Sequence, residues 1–408
     1  MGPAWFGNRI ETEKMREIGA SPPVWEIIKA FLHLGVTAYG GLAMVEPIRQ
    51  RVVKEKGWLN QKEFLDGLAL CQMVPGATVV QLATYVGYRL GRTPGALAAA
   101  AGFILPAFVL MLGLSALYFT YGNIAWVKSV SRGLGVVVIA LLLQAVWHLG
   151  RNVRKHWFDV GIALLALLAL WFQANYILVF VAAGLLRLIL SLRLLADQVP
   201  PLEPMHGQKL PVGTILTHLA LTLLALAVLV GGLWRLDPKL GLMASTFFKI
   251  AMVAFGGGYA MIPILQWDLV DHLGWLTLQQ FLDGILLGFV TPGPIIITAT
   301  FVGYWVKGLL GAIVATVSIF LPPILIIIFL TPFYQRIKEA KLMRPVIQGI
   351  LAALVGMLIL VTLQMGAVTL TDLKSLALMA AASLALIVFR VNLLWIVAAA
   401  AGLSLFLF

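Results

Sequence analysis

The chain has 408 residues, 61% of them hydrophobic and 11% charged, with a formal net charge of +12 and a mean hydropathy of +0.98. A soluble globular chain carries about 25% charged residues, so the composition excludes that class and reads as an all-α polytopic membrane protein. Its Lys and Arg residues lie in short loops between apolar runs, where they orient a membrane protein; they do not gather into a basic face for nucleic acid, and the alternating polarity of an outer-membrane barrel is absent.

Residues 1–24 mix both charge signs without the charged-then-apolar pattern and small-residue cleavage site of a leader, so they are expected to stay as a cytosolic or interfacial segment. A first repeat is expected over 25–193. It opens on a glycine-broken span at about 25–45, followed by a polar segment that carries Arg49, Arg51, Lys54 and Lys56 and ends at Trp58. A segment interrupted by Pro75 and Gly76 follows over 63–90, then a long span over 95–120 containing Pro106, then three more apolar stretches. Cys71, the single cysteine, sits in an apolar run, and one thiol builds neither a disulfide framework nor a metal cluster. Residues 194–209, reading LLADQVPPLEPMHGQK, are polar and Pro-rich and form a linker. With the apolar run Leu210–Trp234 it occupies 194–241. A second repeat over 242–408 runs through the same series: 243–263, a polar segment to Trp275, 279–306, and 309–334 with Pro322 inside.

Shared landmarks make this a duplication. Tyr39, Gly40 and Gly41 correspond to Phe255, Gly256 and Gly257 (257 − 41 = 216), and FLDG at 64–67 to FLDG at 281–284. Pro75 and Gly76 correspond to Pro292 and Gly293 (292 − 75 = 217), and Asn175 to Asn392. Equivalent loops carry opposite charge. Arg49 to Lys62 is rich in cations where 261–284 has no Lys or Arg, and one segment later Lys128 and Arg132 stand against Arg336, Lys338, Lys341 and Arg344. The positive-inside rule then sets the halves in opposite orientations. The expected fold is two homologous halves as an inverted-topology repeat with Pro-Gly-broken helices and about 11 to 13 membrane segments. Six crossings per half and one joining span give thirteen and inverted halves. A re-entrant Pro-Gly segment leaves five, and with one joining span the halves come out parallel, so the count stays open here.

Proline lacks an N–H and clashes with the preceding turn, and glycine weakens a helix, so TPGP at 291–294 must interrupt one. An interruption within hydrocarbon is tolerated where its backbone faces protein or a watery cavity. Pro294 then starts a half-helix whose N–H groups and positive dipole end suit an anion. The expected binding residues are Gly40, Gly41, Pro75 and Gly76 in half one, and Gly256, Gly257, Gly258, Pro292, Gly293 and Pro294 in half two. Neutral donors beside them are Gln72, Gln81, Thr78, Thr291 and Thr298. Lys249 and His33, opposite each other in the repeat, place a cationic or titratable nitrogen that neutralises an anion or snorkels to the interface. Asp66 and Asp283, also paired by the repeat, either carry a coupling proton or cap a neighbouring helix.

Paired aspartates in a membrane raise an intramembrane protease, but such enzymes as a group place one in a Gly-x-Gly-Asp setting that neither FLDG offers. No Ser/His pair and no phosphate-cradling glycine loop is seen, and His148, His156, His206, His218 and His272 are scattered. The chain is therefore expected to be no enzyme and to hold no metal or cofactor.

At these motifs the sequence resembles the chromate transporter (CHR) superfamily in its long form with two homologous halves, over about 330 of the 408 residues. The resemblance implies a multi-pass secondary transporter of the bacterial inner membrane that exports chromate, driven by the proton-motive force, and confers chromate resistance. It implies chromate, sulfate as competitor, protons and membrane lipid as partners, and leaves a homodimer open. The family motifs fall on Gly40, Gly41, Pro75 and Gly76, and on Phe255, Gly256, Gly257, Pro292, Gly293 and Pro294. Half one departs at Tyr39, which replaces a phenylalanine, at Ala77, which replaces the second proline, and at Ala43 and Met44, where a proline is expected nearby. A transporter of another oxyanion such as sulfate, a passive anion channel and a membrane enzyme stay as alternatives.

Overall fold

The computed structural model of the chain describes residues 22–39, 44–121, 124–194, 226–228, 230–255, 257–333 and 343–408, and every regular element among them is helical. Half one comprises α1 (Val24–Thr37), α2 (Val45–Arg49) continued by a π-helical stretch (Gln50–Glu55), α3 (Gln61–Met73), α4 (Thr78–Tyr121), α5 (Ala125–Val153), α6 (Trp157–Trp171) and α7 (Tyr176–Leu194). Half two repeats the series as α8 (Pro238–Val253), α9 (Gly258–Gln266) with a π-helical stretch (Trp267–His272), and α10 (Leu278–Val290). A 3₁₀ turn (Ile295–Ile297) then leads into α11 (Thr298–Leu330), followed by α12 (Met343–Thr369), α13 (Leu373–Ile387) and α14 (Leu393–Leu407). The duplicated Asn175 and Asn392 find their reason here. Their side chains accept the Ile177 and Leu394 N–H groups at 2.9 and 3.0 Å, starting α7 and α14.

The glycine-broken first segment, expected to be a span, folds back on itself. Lys56 Nζ, just past the π-helical stretch, lies 2.8 Å from Glu26 Oε1 in the first turn of α1, so both ends of the segment sit at one face. The Pro-Gly segment does the same. Arg89 pairs with Glu63 at the start of α3 at 2.5 Å, and the Tyr85 hydroxyl donates to the Glu63 carbonyl at 3.2 Å. At Gly91 and Arg92 the backbone leaves the helical range, with φ of −141° and 53°. This divides α4 into a short arm that closes the hairpin and a long arm that runs on. Half two has the same build: α11 breaks at Lys307 and Gly308, Trp305 Nε1 donates to the Trp275 carbonyl at 2.6 Å, and Lys307 pairs with Asp237 before α8 at 2.5 Å. A helix of 13 residues such as α3 rises about 20 Å, enough to bring its tip well into a hydrocarbon core about 30 Å thick and turn back.

Each half therefore has two re-entrant hairpins followed by four helices. Among the described residues five helices, α4, α5, α7, α11 with its leading turn, and α12, are long and apolar enough to cross a membrane. The shorter apolar helices α13 and α14 pack on α5, and α6 packs with α7 on α12, so each half lays its last two helices against the other.

Contacts across the halves run antiparallel. Tyr118, toward the far end of α4, donates to Asp283 near the start of α10 at 2.5 Å. Tyr176 at the start of α7 donates to Asp268 at 2.8 Å. The face on which half two begins is thus the face on which half one's α4 ends, which fits the inverted relation expected from the loop charges. The conflict between a re-entrant Pro-Gly segment and inverted halves disappears, because the first segment is re-entrant as well. Four crossings return half one to its starting face, and the contacts of Tyr118 and Tyr176 put the start of half two on the opposite one; most of the joining run lies outside the described residues. In a background with Cys71 replaced by Ala, cysteines at Glu26, Lys56 and Arg92 are expected to react with a membrane-impermeant maleimide from one face only, and cysteines at Lys128 and Thr371 only from the other. Labelling of Glu26→Cys and Lys56→Cys from opposite faces would restore a crossing first segment.

Candidate functional site

The two Pro-Gly breaks meet the two glycine breaks of the opposite half. Gly76 donates its N–H to the Ala254 carbonyl at 2.7 Å, and Gly293 donates to the Ala38 carbonyl at 2.9 Å. Ala38 and Ala254 are the C-caps of α1 and α8. The last carbonyls of a helix have no partner within it, and hydrocarbon supplies none, so each half satisfies the other's helix end. Pro75 and Pro292 cannot donate, which leaves the N–H to the following glycine. Those glycines sit at φ +124° and +107°, left-handed conformations that glycine adopts freely. A Cβ on Gly76 would overlap the Pro323 side chain, and one on Gly293 would lie 2.8 Å from Ala107 Cβ. Pro323 and Ala107 are themselves equivalent (323 − 107 = 216), so each long arm backs the other half's break.

Three helix starts converge at this crossing. A Cβ at Gly257, before α9, would stand 3.7 Å from Thr78 Oγ1 at the start of α4, and one at Gly258 would stand 3.4 Å from Ile295 Cβ in the turn before α11. The first N–H groups of a helix have no intrahelical acceptor, and each helix start carries about half a positive charge. The geometry is one that suits an anion. Pro75, Gly76, Gly257, Gly258, Pro292, Gly293 and Pro294 are thus brought together, while Gly40, Gly41 and Gly256 lie outside the described residues. Of the neutral groups, Thr291 and Thr298 give their hydroxyls to the Leu287 and Ile295 carbonyls, at 2.7 and 3.0 Å. Gln81 is fully buried; its Nε2 donates to the Pro75 carbonyl at 2.6 Å and its Oε1 has no protein partner. Gln72 is exposed on α3.

The paired nitrogens do not act as a pair. Lys249 lies 2.8 Å from Asp268 Oδ1, so its charge is matched by a carboxylate and is not free for an anion. His33 is exposed, and the residue equivalent to Asp268 in half one is Arg51 (268 − 217 = 51), which pairs with Glu55, so the arrangement belongs to half two alone. Asp66 is half-buried on α3. Asp283 is buried on α10, accepting from the Tyr118 hydroxyl at 2.5 Å and from Gln279 Nε2 at 3.1 Å. It is not an N-cap, because Thr277 caps α10.

Asp283 lines a cavity of about 600 Å³ between the halves, together with Tyr118, Lys128, Arg132, Gln279 and Thr369. Arg132 at its rim pairs with Asp372 at 2.7 Å. The Ser375 N–H and hydroxyl, with Arg132, hold the Asp372 carboxyl below the usual carboxylate range, so at neutral pH this rim pair is charged. Among the described residues no carboxylate pairs with Lys128. Phe119 stacks on Trp305 and packs against Phe301, at centroid separations of 4.8 Å each, and Phe119 and Trp305 line the cavity. Tyr118 and Gln279 were not singled out from the sequence. Tyr118 carried a usable signal, since Tyr334 stands 216 residues later and repeats it in the second half.

The profile of the family described as Chromate transporter matches residues 25–188 and 241–405. The chain is 33% identical over 363 residues to an uncharacterized transporter of Methanocaldococcus jannaschii, covering 88% of each. It is 30% identical over 337 residues to the chromate transport protein of Cupriavidus metallidurans, covering 81% of this chain and 80% of that one. It is 32% identical over 357 residues to the chromate transport protein of Pseudomonas aeruginosa, covering 86% and 83%. No solved structure matches the chain.

Gly76→Ala and Gly293→Ala, each forcing a side chain into a left-handed conformation, are expected to cost about 1–3 kcal/mol apiece. Gly258→Ala, without positive φ and at ordinary contact distance, is expected near wild type. Thermal unfolding in detergent checks this, and equal stability of all three variants would remove the crossed breaks from the account.

Proposed function

The chain belongs to the chromate transporter family, and on that premise we propose that it is a secondary active transporter exporting chromate across the bacterial inner membrane. Export is driven by the proton-motive force and confers chromate resistance. The observation that carries this reading is the convergence of the starts of α4, α9 and α11 on the crossed breaks. Positive helix ends and unbonded N–H groups recognise a tetrahedral dianion without a fixed cation beside it. A bound dianion is then held firmly enough to be selected and loosely enough to be released.

The face at which α1 starts carries Arg49, Arg51, Lys54, Lys56, Arg92, Arg151, Arg154 and Lys155, and the opposite face carries Lys128, Arg132, Lys239, Lys307 and Lys374. By the positive-inside rule the first is cytoplasmic. The cavity at Asp283 then opens outward. Exchange between this arrangement and its mirror in the other half gives alternating access about a fixed site, the general mode of inverted repeats. Asp283 is the carboxylate placed to take a proton from the outer cavity, with Tyr118 and Gln279 holding its two oxygens. Sulfate presents the same charge and nearly the same shape, so it competes at the site.

Flux of radiolabelled chromate into liposomes holding the purified protein, with and without an imposed pH gradient, tests this. Uphill accumulation that requires the gradient, reduced by excess sulfate, is expected. Asp283→Asn is expected to abolish the gradient dependence while keeping chromate binding. Downhill flux indifferent to pH would make the protein a channel, and absence of flux in both conditions would end the transport reading.

A further inference from the structure

The outer wall of the helical bundle holds a second cavity, remote from the crossed breaks. It has a volume of about 480 Å³ and lies between α5, α6, α12 and α13, with Val146, Trp147, Val153, Leu164, Leu167 and Ile359 among its walls. Its lining is apolar along one helix side from Leu143 to Val153, about 15 Å of helix, which is an acyl-chain length and not a headgroup length. At the cytoplasmic end Arg154 forms part of the lip, its guanidinium 4.5 Å from the centre of the Trp147 ring. Arg151, Lys155 and His156 stand exposed beside it.

These cations have no carboxylate at ion-pair distance among the described residues. The nearest acid in sequence, Asp159, is buried and taken by Arg187 at 2.5 Å. Trp147 and Trp157 are exposed, as aromatic residues are at the headgroup level. An apolar slot that ends in unmatched positive charge at the membrane boundary fits one kind of molecule, and basic pockets between helices on the cytoplasmic side are where anionic headgroups dock.

We propose that this groove is a binding site for an anionic phospholipid, with one acyl chain lying between α5 and α6 and the phosphate on Arg151 and Arg154. Because α5 and α6 come from half one and α12 and α13 from half two, the lipid joins the halves on their outer side. The proposal is independent of which anion is transported.

Native mass spectrometry of the detergent-purified protein titrated with phosphatidylglycerol, phosphatidylcholine or glycerol phosphate tests it. Phosphatidylglycerol is expected to be retained at least about fivefold over phosphatidylcholine, and glycerol phosphate not to compete. Arg151→Gln with Arg154→Gln is expected to bring phosphatidylglycerol down to the phosphatidylcholine level. Gly150→Leu, where a Cβ meets nothing within 4 Å and the helix is not strained, is expected to fill the groove and reduce retention of both lipids. Arg193→Gln, on the same face at the end of α7, is the control and is expected to leave retention unchanged. The site is overturned by equal retention of the two lipids in the wild type, by loss in Arg193→Gln as large as in the double variant, by competition from glycerol phosphate alone, or by Gly150→Leu binding like wild type.

Discussion

Two backbone hydrogen bonds, from Gly76 to Ala254 and from Gly293 to Ala38, are the constraint on which the rest of the structure turns. A helix that stops in the middle of a bilayer exposes carbonyls that neither lipid nor its own chain can satisfy. Here the stop in one half is answered by the start in the other. The answer works only if the donor is the residue after a proline, if that residue tolerates a left-handed backbone, and if the opposing long arm comes close behind it. Pro75 with Gly76, Pro292 with Gly293, and Pro323 and Ala107 behind them meet those conditions twice over. The bonds also draw the starts of α4, α9 and α11 together, so the cost of breaking helices in hydrocarbon is offset at the same point where positive helix ends collect.

The scaffold is nearly symmetric, but its polar dressing is not. Asp268 holds Lys249 and Tyr176 in half two, while half one has Arg51 in its place, paired with Glu55. Glu63 caps α3 and grips Arg89, whereas the equivalent Gln280 in half two caps α10 as a neutral group. A repeat whose two copies were energetically identical would rest equally in either orientation of its halves. Different ion pairs at equivalent places give the two arrangements different energies, which sets the resting state of the pair without altering the site they share.

Much of this was legible in the residues. The duplication, the two kinds of break and the opposite loop charges all rest on local signals: a glycine pair, a proline before a glycine, a run of lysines. The fold-back of the first segment was not legible, because it brings together residues such as Lys56 and Glu26, thirty positions apart, a pairing that no periodicity announces. The same holds for Lys249, whose isolated place in an apolar helix suggested a ligand-facing charge, and whose partner Asp268 lies on a different helix brought alongside by the glycine break. Asp283 was legible as a buried acid but not as a hydrogen-bonded one, since Tyr118 belongs to the other half. Intrahelical spacing carries what neighbours along the chain decide; pairings between hairpins depend on the three-dimensional path.

The crossed bonds also bear on how the protein is made. During synthesis the carbonyl of Ala38 precedes its donor at Gly293 by 255 residues (293 − 38 = 255). Until that donor arrives, the first half has a helix end in the membrane interior with no protein partner. The first half is thus a waiting intermediate by construction, and the last event in maturation is the locking together of two breaks that neither half can close alone.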